Sequence, residues 1–438
     1  MIPASRPASP APVVAIAIAV FALAVFTLYP GFYTFDSAYQ LYQARTGEYH
    51  GLQPPTMTLA WAGLLGLGLP PGSLLVVHLA ALCAGAALIG LSLPRPWGLI
   101  APLVLLWPPF LALFGHLLID VSLAASLLLA TGWIAWTRAT GRGALGWWAA
   151  IPLAYAVGVR HNALLAVPPL LFLLLAREPS RALIGKAAVA LALTAAAFAA
   201  WTGVWRMVAP PVPAWSSTAI WDLSAASVAS GELLLPPGVH GPGLTVEELR
   251  PLVNSYASMT ILTGTRSGIN AGLLEPPLPE AVKRDLMRRW LRVPFTHPEA
   301  WLRHRLHVAW SLFGVRRAGE PEGQFVEPIV TPFRDNPPIR LNETHASDLL
   351  LRAVRAMHHT PWTAPLAHLA LSIVALALAL RAGFAGDRML VGALVLGTWL
   401  FALPLVVLVP AADWRYALWP MVSAVVALLL ALGGKRTG

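Results

Sequence analysis

Ten apolar runs in this chain are long enough, or nearly long enough, to cross a lipid bilayer. A transmembrane helix needs about 20 mostly apolar residues, and hydrocarbon admits only helices or closed barrels. Only 11% of the 438 residues are charged and the mean hydropathy is +0.66, whereas soluble domains are about a quarter charged. The pattern therefore predicts an all-α polytopic membrane protein. The predicted spans are 11–29, 73–93, 98–118, 121–137, 146–159, 163–176, 182–208, 362–380, 389–409 and 415–433.

Basic residues in the short connections predict the orientation of these spans. Short cytoplasmic connections carry an excess of Lys and Arg. With a cytoplasmic N-terminus, every short basic connection falls on the cytoplasmic side. A further span at the Gly-rich run 57–70 would invert the later connections, so this run is predicted as an interfacial or re-entrant helix. We expect a multi-pass protein of the plasma or inner membrane with both termini cytoplasmic. The basic positions are Arg95, Arg138, Arg142, Arg177, Arg181, Lys186, Arg381, Arg388, Lys435 and Arg436.

The chain divides into three parts on this reading. Residues 1–208 form an N-terminal transmembrane module with a long first outer loop, 30–72, and residues 362–438 hold the last spans. The central segment, residues 209–361, is predicted to be extracytoplasmic and mostly helical. Within it, 279–315 is expected to be a helix broken near two prolines. Its Trp and Leu residues alternate with Arg, a pattern typical of a helix lying on an anionic interface.

Composition argues against several classes of site. The net charge is +10, but the basic residues lie in short topology clusters and in the central segment, where acidic residues nearly balance them, so nucleic-acid binding is not expected. A single cysteine, Cys83, excludes an intrachain disulfide and a thiolate metal site. No His-Glu-x-x-His spacing occurs, so neither a metal nor another cofactor is predicted.

The first outer loop carries an acid that needs an explanation. Asp36 follows the first span directly, and charge near hydrocarbon is costly and usually functional. An Asp at the bilayer surface is within reach of a water-side hydroxyl and a membrane-held donor, as a general base must be. The alternatives are a solvated helix-terminus carboxylate or an ion-pair partner of an arginine. Candidate substrate contacts in the same loop are Ser37, Gln40, His50 and Gln53.

Three polar residues, Arg160–Asn162, interrupt two apolar runs at another predicted outer connection. A guanidinium is well shaped to hold a phosphate, which makes Arg160 a candidate phosphate ligand. His161 and Asn162 are candidate substrate contacts beside it. The alternatives are a solvated turn, with Asn162 capping the next helix.

Two more outer turns hold candidates. Arg415 and Tyr416 lie at the start of the last span. Arg415 is a candidate second phosphate ligand, and Tyr416 is a candidate for orienting it. The alternative is that Arg415 simply pairs with Asp413. His116 and Asp120 flank a further turn and are candidate substrate contacts. The alternative for Asp120 is a helix cap favoured by the dipole.

These residues resemble the integral-membrane glycosyltransferases of the GT-C type, the protein mannosyltransferase and aminoarabinose transferase-like superfamily, which use polyprenyl-phosphate-linked sugars. The loop resembles that class's first extracytoplasmic loop, in which the acid serves as base and a Pro-Pro pair leads into a juxtamembrane helix. Gln53 is a departure, because many relatives have His or Lys directly before Pro-Pro. The matching positions are Phe35-Asp36-Ser37, Gln40, Gly47, Tyr49, Pro54-Pro55-Thr56, Asp120, Arg160, Arg415-Tyr416, Pro420 and His297-Pro298-x-x-Trp301-Leu302-x-x-Arg305.

The resemblance implies a GT-C-like fold of about ten spans with juxtamembrane helices, and an inverting transfer at the extracytoplasmic face. Asp36 would deprotonate an acceptor hydroxyl on a lipid or cell-envelope glycan, while Arg160 and Arg415 hold the donor phosphate among membrane lipids. A transporter or flippase of a lipid-linked saccharide is the alternative, which predicts broken helices near the midplane and pseudo-symmetric halves. A scaffold is the third possibility, and it predicts that Asp36, Arg160 and Arg415 lie far apart.

Overall fold

The computed structural model describes residues 10–176, 182–253, 256–266, 268–273, 276–315, 344–381 and 386–434, together with Asn336, Asn342 and Phe384. Helices dominate this part of the chain, and its β-structure is limited to isolated bridges. The predicted all-helical class is therefore confirmed for the described residues.

The helices follow in chain order, first those of residues 1–208, then those of the central segment and last those of residues 362–438. The first group is α1 (Pro10–Leu28), α2 (Phe35–Thr46), α3 (Thr56–Gly66), α4 (Ser73–Ser92), α5 (Trp97–Leu103), α6 (Pro108–Phe114), α7 (Ile119–Ala139), α8 (Ala150–Val159), α9 (Ala163–Leu175) and α10 (Leu183–Val208). The central segment contains α11 (Trp215–Ser230), α12 (Val246–Leu249), α13 (Met259–Gly264), α14 (Glu280–Thr296), α15 (Pro298–Leu312) and α16 (His345–Met357). The last group is α17 (Pro365–Leu380), α18 (Arg388–Leu408) and α19 (Leu418–Gly433). Short 3₁₀ turns lie at Val104–Leu106, Gly143–Ala149, Pro361–Thr363 and Trp414–Ala417.

Six helices of the described chain are long and apolar enough to cross a membrane, as expected of a multi-pass membrane protein. A bent pair of helices at Trp97–Leu106 and Pro108–Phe114 makes up to seven. The other three predicted spans form shorter apolar helices, so ten full spans are not established. The six are Pro10–Leu28, Ser73–Ser92, Ile119–Ala139, Leu183–Val208, Arg388–Leu408 and Trp414–Gly433, and the shorter three are Gly143–Val159, Ala163–Leu175 and Pro365–Leu380.

The orientation of the spans stays a prediction. Four of the basic residues on which it rests, Arg177, Arg181, Lys435 and Arg436, lie outside the described residues. The run 57–70 forms α3, whose 11 residues extend only about 16 Å and are too short to cross a bilayer. That length agrees with the interfacial or re-entrant helix predicted there.

The run 98–118 bends by 61° at Trp107 instead of forming one straight span. Pro108 and Pro109 follow the bend, and a residue before proline is driven out of the helical region. Trp107 accordingly has ψ 119°. The two prolines therefore explain why α5 and α6 are separate helices.

Small residues allow α4 and α7 to pack against each other very closely. A Cβ added to Gly85 would lie 2.6 Å from the Leu128 carbonyl oxygen, and one added to Gly132 would overlap the Gly85 carbonyl. Such approaches are typical of membrane helix pairs, where van der Waals contact drives association. This crossing fixes the position of α7, which carries Asp120 in its first turn.

The predicted helix at 279–315 is broken at His297, between α14 and α15, as its prolines indicated. One side of α14 is buried, and its opposite side is exposed along a stripe of arginines and large apolar residues. The spacing of the exposed residues, at 0, 4, 7, 8 and 11 positions, keeps them on one helix face. The stripe consists of Arg284, Arg288, Leu291, Arg292 and Phe295.

Candidate functional site

Acids and arginines from four helix ends meet in one cluster. Arg415 Nη1 lies 2.5 Å from Asp36 Oδ2, and Arg160 pairs with Asp120. The ring of Tyr416 lies close to both arginines, with its centroid 4.8 Å from the guanidinium carbon of Arg160 and 5.2 Å from that of Arg415. We call these five residues, together with Asp413, the charged cluster. The scaffold alternative predicted scattered residues, and that prediction is wrong.

Asp36 is placed by a loop that is tied to the start of α7. The Phe32 N–H donates to the Gly115 carbonyl at 2.7 Å, and the Leu117 N–H donates to the Phe32 carbonyl at 3.2 Å. Thr34 then caps α2 in a capping box with Ser37. The loops that carry Asp36 and Asp120 are therefore held side by side.

His116 and Ser37 take part in this framework. His116 is fully buried, its Nδ1 donates to the Ala112 carbonyl at 3.0 Å, and its ring packs edge-on against Phe32. Ser37 is fully buried in the capping box. Both side chains thus have structural partners, and their predicted substrate contacts stay predictions.

Asp120 lies in the first turn of α7 but does not cap it. Leu118 is the N-cap residue, with no side-chain cap, so the cap alternative for Asp120 is wrong. Its side chain is 3% exposed, and one carboxylate oxygen, Oδ2, has no hydrogen-bond partner in the described part of the chain. Arg160 reaches it from the extended C-cap position of α8. The pair is therefore nearly dry, which makes its electrostatic attraction stronger than at a surface.

Asp413 is a cluster residue whose importance the sequence did not reveal. It caps the 3₁₀ turn Trp414–Ala417 by accepting the Arg415 N–H at 3.0 Å. Its Oδ2 also lies 3.0 Å from Arg415 Nε. The predicted Asp413–Arg415 pair is thus present, and Arg415 contacts Asp36 in addition. Burial raises the pKa of Asp413 to about 6, against the opposing effect of Arg415.

The amide of Gln40 is the clearest unused polar group near Asp36. Gln40 is 1% exposed, and neither of its amide atoms has a hydrogen-bond partner among the described residues. It lies four residues after Asp36 on α2, and therefore on the same helix face. Burying an amide without hydrogen-bond partners costs folding free energy. Such a cost is expected for a side chain that hydrogen-bonds to a substrate.

The other predicted substrate contacts lie around the cluster in different settings. In the first loop, the backbone N–H of His50 donates to Gln43 Oε1 at 2.8 Å, and the buried Gln53 Oε1 atom has no hydrogen-bond partner among the described residues. His161 packs edge-on against Phe198 and Trp205 of α10, at centroid distances of 5.7 and 5.5 Å. Asn162 occupies the N-cap position of α9 as predicted, but its side chain makes no capping hydrogen bond to the described residues.

An apolar groove runs beside the bent pair of helices. Its volume is about 560 Å³, and its lining includes Trp107, Phe110, Trp362 and His368. Phe110 belongs to α6, which ends just before the Gly115–Leu117 connection that pairs with Phe32. The groove therefore flanks the element that supports the Asp36 loop.

The arrangement can hold an anion between two arginines and can offer a carboxylate to a nearby proton. In the described part of the chain, no group of three or more His, Cys, Asp or Glu residues is placed to hold a metal ion. Comparison of the chain with protein-family models, with curated proteins and with solved structures gave no match in any of the three.

Proposed function

We propose that this protein is a membrane glycosyltransferase of the GT-C type, which transfers a sugar from a polyprenyl-phosphate donor to an extracytoplasmic acceptor hydroxyl with inversion. The observation that carries the proposal is the charged cluster itself. Asp36, Arg160 and Arg415 come from distant parts of the chain and meet around one tyrosine ring. A carboxylate can accept a proton and two guanidinium groups can bind a phosphate, so these residues suffice for removing a proton beside a bound phosphate.

The charges of the cluster imply an exchange of partners when the donor binds. Three carboxylates face two guanidinium groups, and Arg415 contacts both Asp36 and Asp413. A donor phosphate that binds Arg415 must displace a carboxylate from it. Displacing Asp36 would leave that carboxylate free to accept a proton, so donor binding would prepare the base for the acceptor.

The proposed step is a single displacement at the anomeric carbon. The acceptor oxygen forms a bond to that carbon as the bond to the phosphate oxygen breaks, and the hydroxyl proton passes to Asp36. The polyprenyl phosphate leaves with the electron pair, and Arg160 and Arg415 stabilise its charge. Such preorganised donors contribute several kcal/mol in enzymes, typically about 3 each.

The groove at the bent pair suits the lipid part of the donor. Its lining is almost entirely apolar, and it has room for a hydrocarbon chain. In our proposal the isoprenoid tail lies in this groove and the phosphate reaches the charged cluster. The acceptor would approach from the water side, where the first loop carries His50 and Gln53.

A flippase for a lipid-linked saccharide is the second candidate, and the bend at Trp107 favours it. Transporters commonly use broken helices to line a substrate site. Here, however, the described residues that line the groove at the bend include no Asp, Glu, Lys or Arg, whereas the charged cluster lies at helix ends. A flippase needs no general base, so Asp36 separates the two candidates.

The experiment is a transfer assay on purified protein in liposomes, with a panel of radiolabelled polyprenyl-phosphate sugars and membrane extract as the acceptor source. Asp36→Asn should abolish transfer. Glu48→Gln is the matched control, because Glu48 lies in the same loop but accepts from the Tyr42 hydroxyl at 2.7 Å. Near-normal transfer by Asp36→Asn would remove the proposed base. Lipid-linked sugar crossing the bilayer without transfer would support the flippase.

A further inference from the structure

A buried ion pair links α11 to α15 inside the central segment. Arg305 and Asp222 are each 1% exposed, and they meet through two contacts of 2.7 Å, from Nη2 and from Nε. The indole of Trp290 also donates to Asp222 Oδ2 at 2.7 Å. Replacing such a pair by apolar residues is often neutral, so its burial calls for a reason other than stability.

The third contact of Arg305 leaves the central segment. Its Nη1 donates to the carbonyl of Val409 at 3.0 Å. Val409 is the C-cap residue of α18, and Pro410 follows it, so this carbonyl lies where the span ends. Arg305 therefore joins the core of the central segment to the end of a membrane helix.

Two backbone hydrogen bonds hold the next residues to the same segment. The Ser258 N–H donates to the Pro410 carbonyl at 2.9 Å, and the Ala412 N–H donates to the Tyr256 carbonyl at 2.6 Å. Between them, Ala257 and Ala411 form an antiparallel bridge. Asp413 and Arg415 come directly afterwards. The turn 409–413 is thus held by hydrogen bonds at three backbone groups, the carbonyls of Val409 and Pro410 and the N–H of Ala412. Arg415 follows shortly after this turn.

We infer that Arg305, oriented by Asp222, is a positioning residue for Arg415. It acts through Val409 and the turn 409–413, which set where the Arg415 guanidinium meets Asp36. The activity part of this inference rests on the proposed function; the placement of the turn does not. Lysine at 305 would keep the charge but not the planar fork that contacts Asp222 and Val409 together.

The first test measures the turn directly, without any activity. Ala257→Cys and Ala411→Cys are introduced together with Cys83→Ala in the full-length protein. Bridge partners that do not bond each other have Cα atoms about 4.5 Å apart, a separation that a disulfide can span. We expect efficient cross-linking in this parent and loss of most of it in Arg305→Lys. Arg303→Lys is the control, because Arg303 is exposed on the same helix and pairs with Glu299. Unchanged cross-linking in Arg305→Lys would overturn the inference.

The second test uses the same cysteine pair to repair the defect. With the cysteines reduced, Arg305→Lys should lower kcat/KM for the donor several-fold, because Arg415 both binds the donor phosphate and stabilises the charge of the leaving group. Closing the cysteine pair with a short bifunctional thiol reagent, in place of direct oxidation, should restore kcat/KM, since the turn would be held covalently. A kcat/KM defect that persists after closure would refute the route through the turn. If Arg305→Lys does not fold, the double variant Arg305→Gln with Asp222→Asn takes its place, because it removes both buried charges together and still removes the guanidinium that contacts Val409.

Failure of the two proposals can be told apart. If the protein without any substitution shows no transfer, the proposed glycosyltransferase function is refuted. The cross-linking comparison would then still test whether Arg305 holds the turn 409–413 in place. Normal transfer together with unchanged cross-linking in Arg305→Lys would keep the function and reject the positioning role.

Discussion

Asp36 and Arg415 are 379 positions apart in the chain, and their side chains lie 2.5 Å apart. The carboxylate that we propose as base is thus paired with one of the arginines that we propose for the phosphate. Each group neutralises the other, and both are partly shielded from water, at 25% exposure for Asp36 and 17% for Arg415. Binding and catalysis at this site are therefore expected to compete for the same contacts.

The first prediction is that Asp36→Asn changes binding and transfer in opposite directions. Without the Asp36 carboxylate, a phosphate that binds Arg415 has one competing acid fewer to displace. A short-chain polyprenyl phosphate should therefore bind up to about tenfold tighter, which corresponds to a binding free energy more favourable by about 1.4 kcal/mol. Transfer should nevertheless be lost. Affinity is measured by calorimetry in nanodiscs, with Glu48→Gln as the control. Weaker binding by Asp36→Asn would contradict the exchange of partners.

The second prediction concerns the dry pair of Asp120 and Arg160. Arg160→Gln leaves a buried carboxylate without its partner, which should cost about 3–5 kcal/mol of stability. Adding Asp120→Asn should recover a large part of the thermal stability, because no uncompensated charge remains. Donor binding should stay weak in the double variant. Recovery of both properties would show that Arg160 has no phosphate role.

The third prediction is a pH dependence that comes from Asp413. Its pKa is raised to about 6, so its carboxylate is ionised above that pH and protonated below it. Protonation weakens its hold on Arg415 Nε, and transfer should therefore fall as the pH drops through about 6. Because the folded state holds this proton more tightly than the unfolded chain, Asp413 lowers stability as the pH rises from about 4 to 6. The pH profile of kcat/KM, compared with Asp413→Asn, checks this; an acidic limb unchanged in the variant would assign it to another group.

The fourth prediction tests the crossing of α4 and α7. Gly132→Ala places a Cβ against the Gly85 carbonyl, which forces the helices apart and should lower the melting temperature by several degrees. Gly203→Ala on α10 is the matched control, because nothing lies within 4 Å of its added Cβ. Alanine there should be neutral or stabilising, by up to about 1 kcal/mol. Equal effects of the two changes would contradict the close crossing.

The fifth prediction places the exposed stripe of α14 on an anionic membrane surface. Phe295 is 84% exposed in the protein, and arginines flank it on the same face. An environment-sensitive dye on Phe295→Cys, with Cys83→Ala, should report an apolar setting and be quenched by nitroxide lipids. Replacing Arg284, Arg288 and Arg292 by Gln should reduce this signal in phosphatidylglycerol vesicles more than in phosphatidylcholine. A dye on Leu349→Cys of α16, also exposed, serves as the control; identical signals at the two positions would refute the docking.

Local patterns predicted the helices well. Hydropathy placed helices at all ten apolar runs, proline placed the break at His297, and the shortness of 57–70 indicated a helix that does not cross. Those outcomes depend on a few neighbouring residues and on the need to pair backbone groups in hydrocarbon. The bend at Trp107 was missed although Pro108 and Pro109 announce it, because an average over an apolar run does not register the backbone restriction of proline.

The sequence did not predict which charged residues would pair with each other. The sequence by itself determined that Asp36, Asp120, Arg160 and Arg415 lie in the connections beside apolar runs, where charge is tolerated. Only the tertiary structure decided that Asp36 pairs with Arg415, that Asp413 holds the same guanidinium, and that Arg305 fastens the turn before it. Contacts between groups hundreds of residues apart depend on how whole helices pack, and the composition of any one segment carries no record of its partner across the bundle.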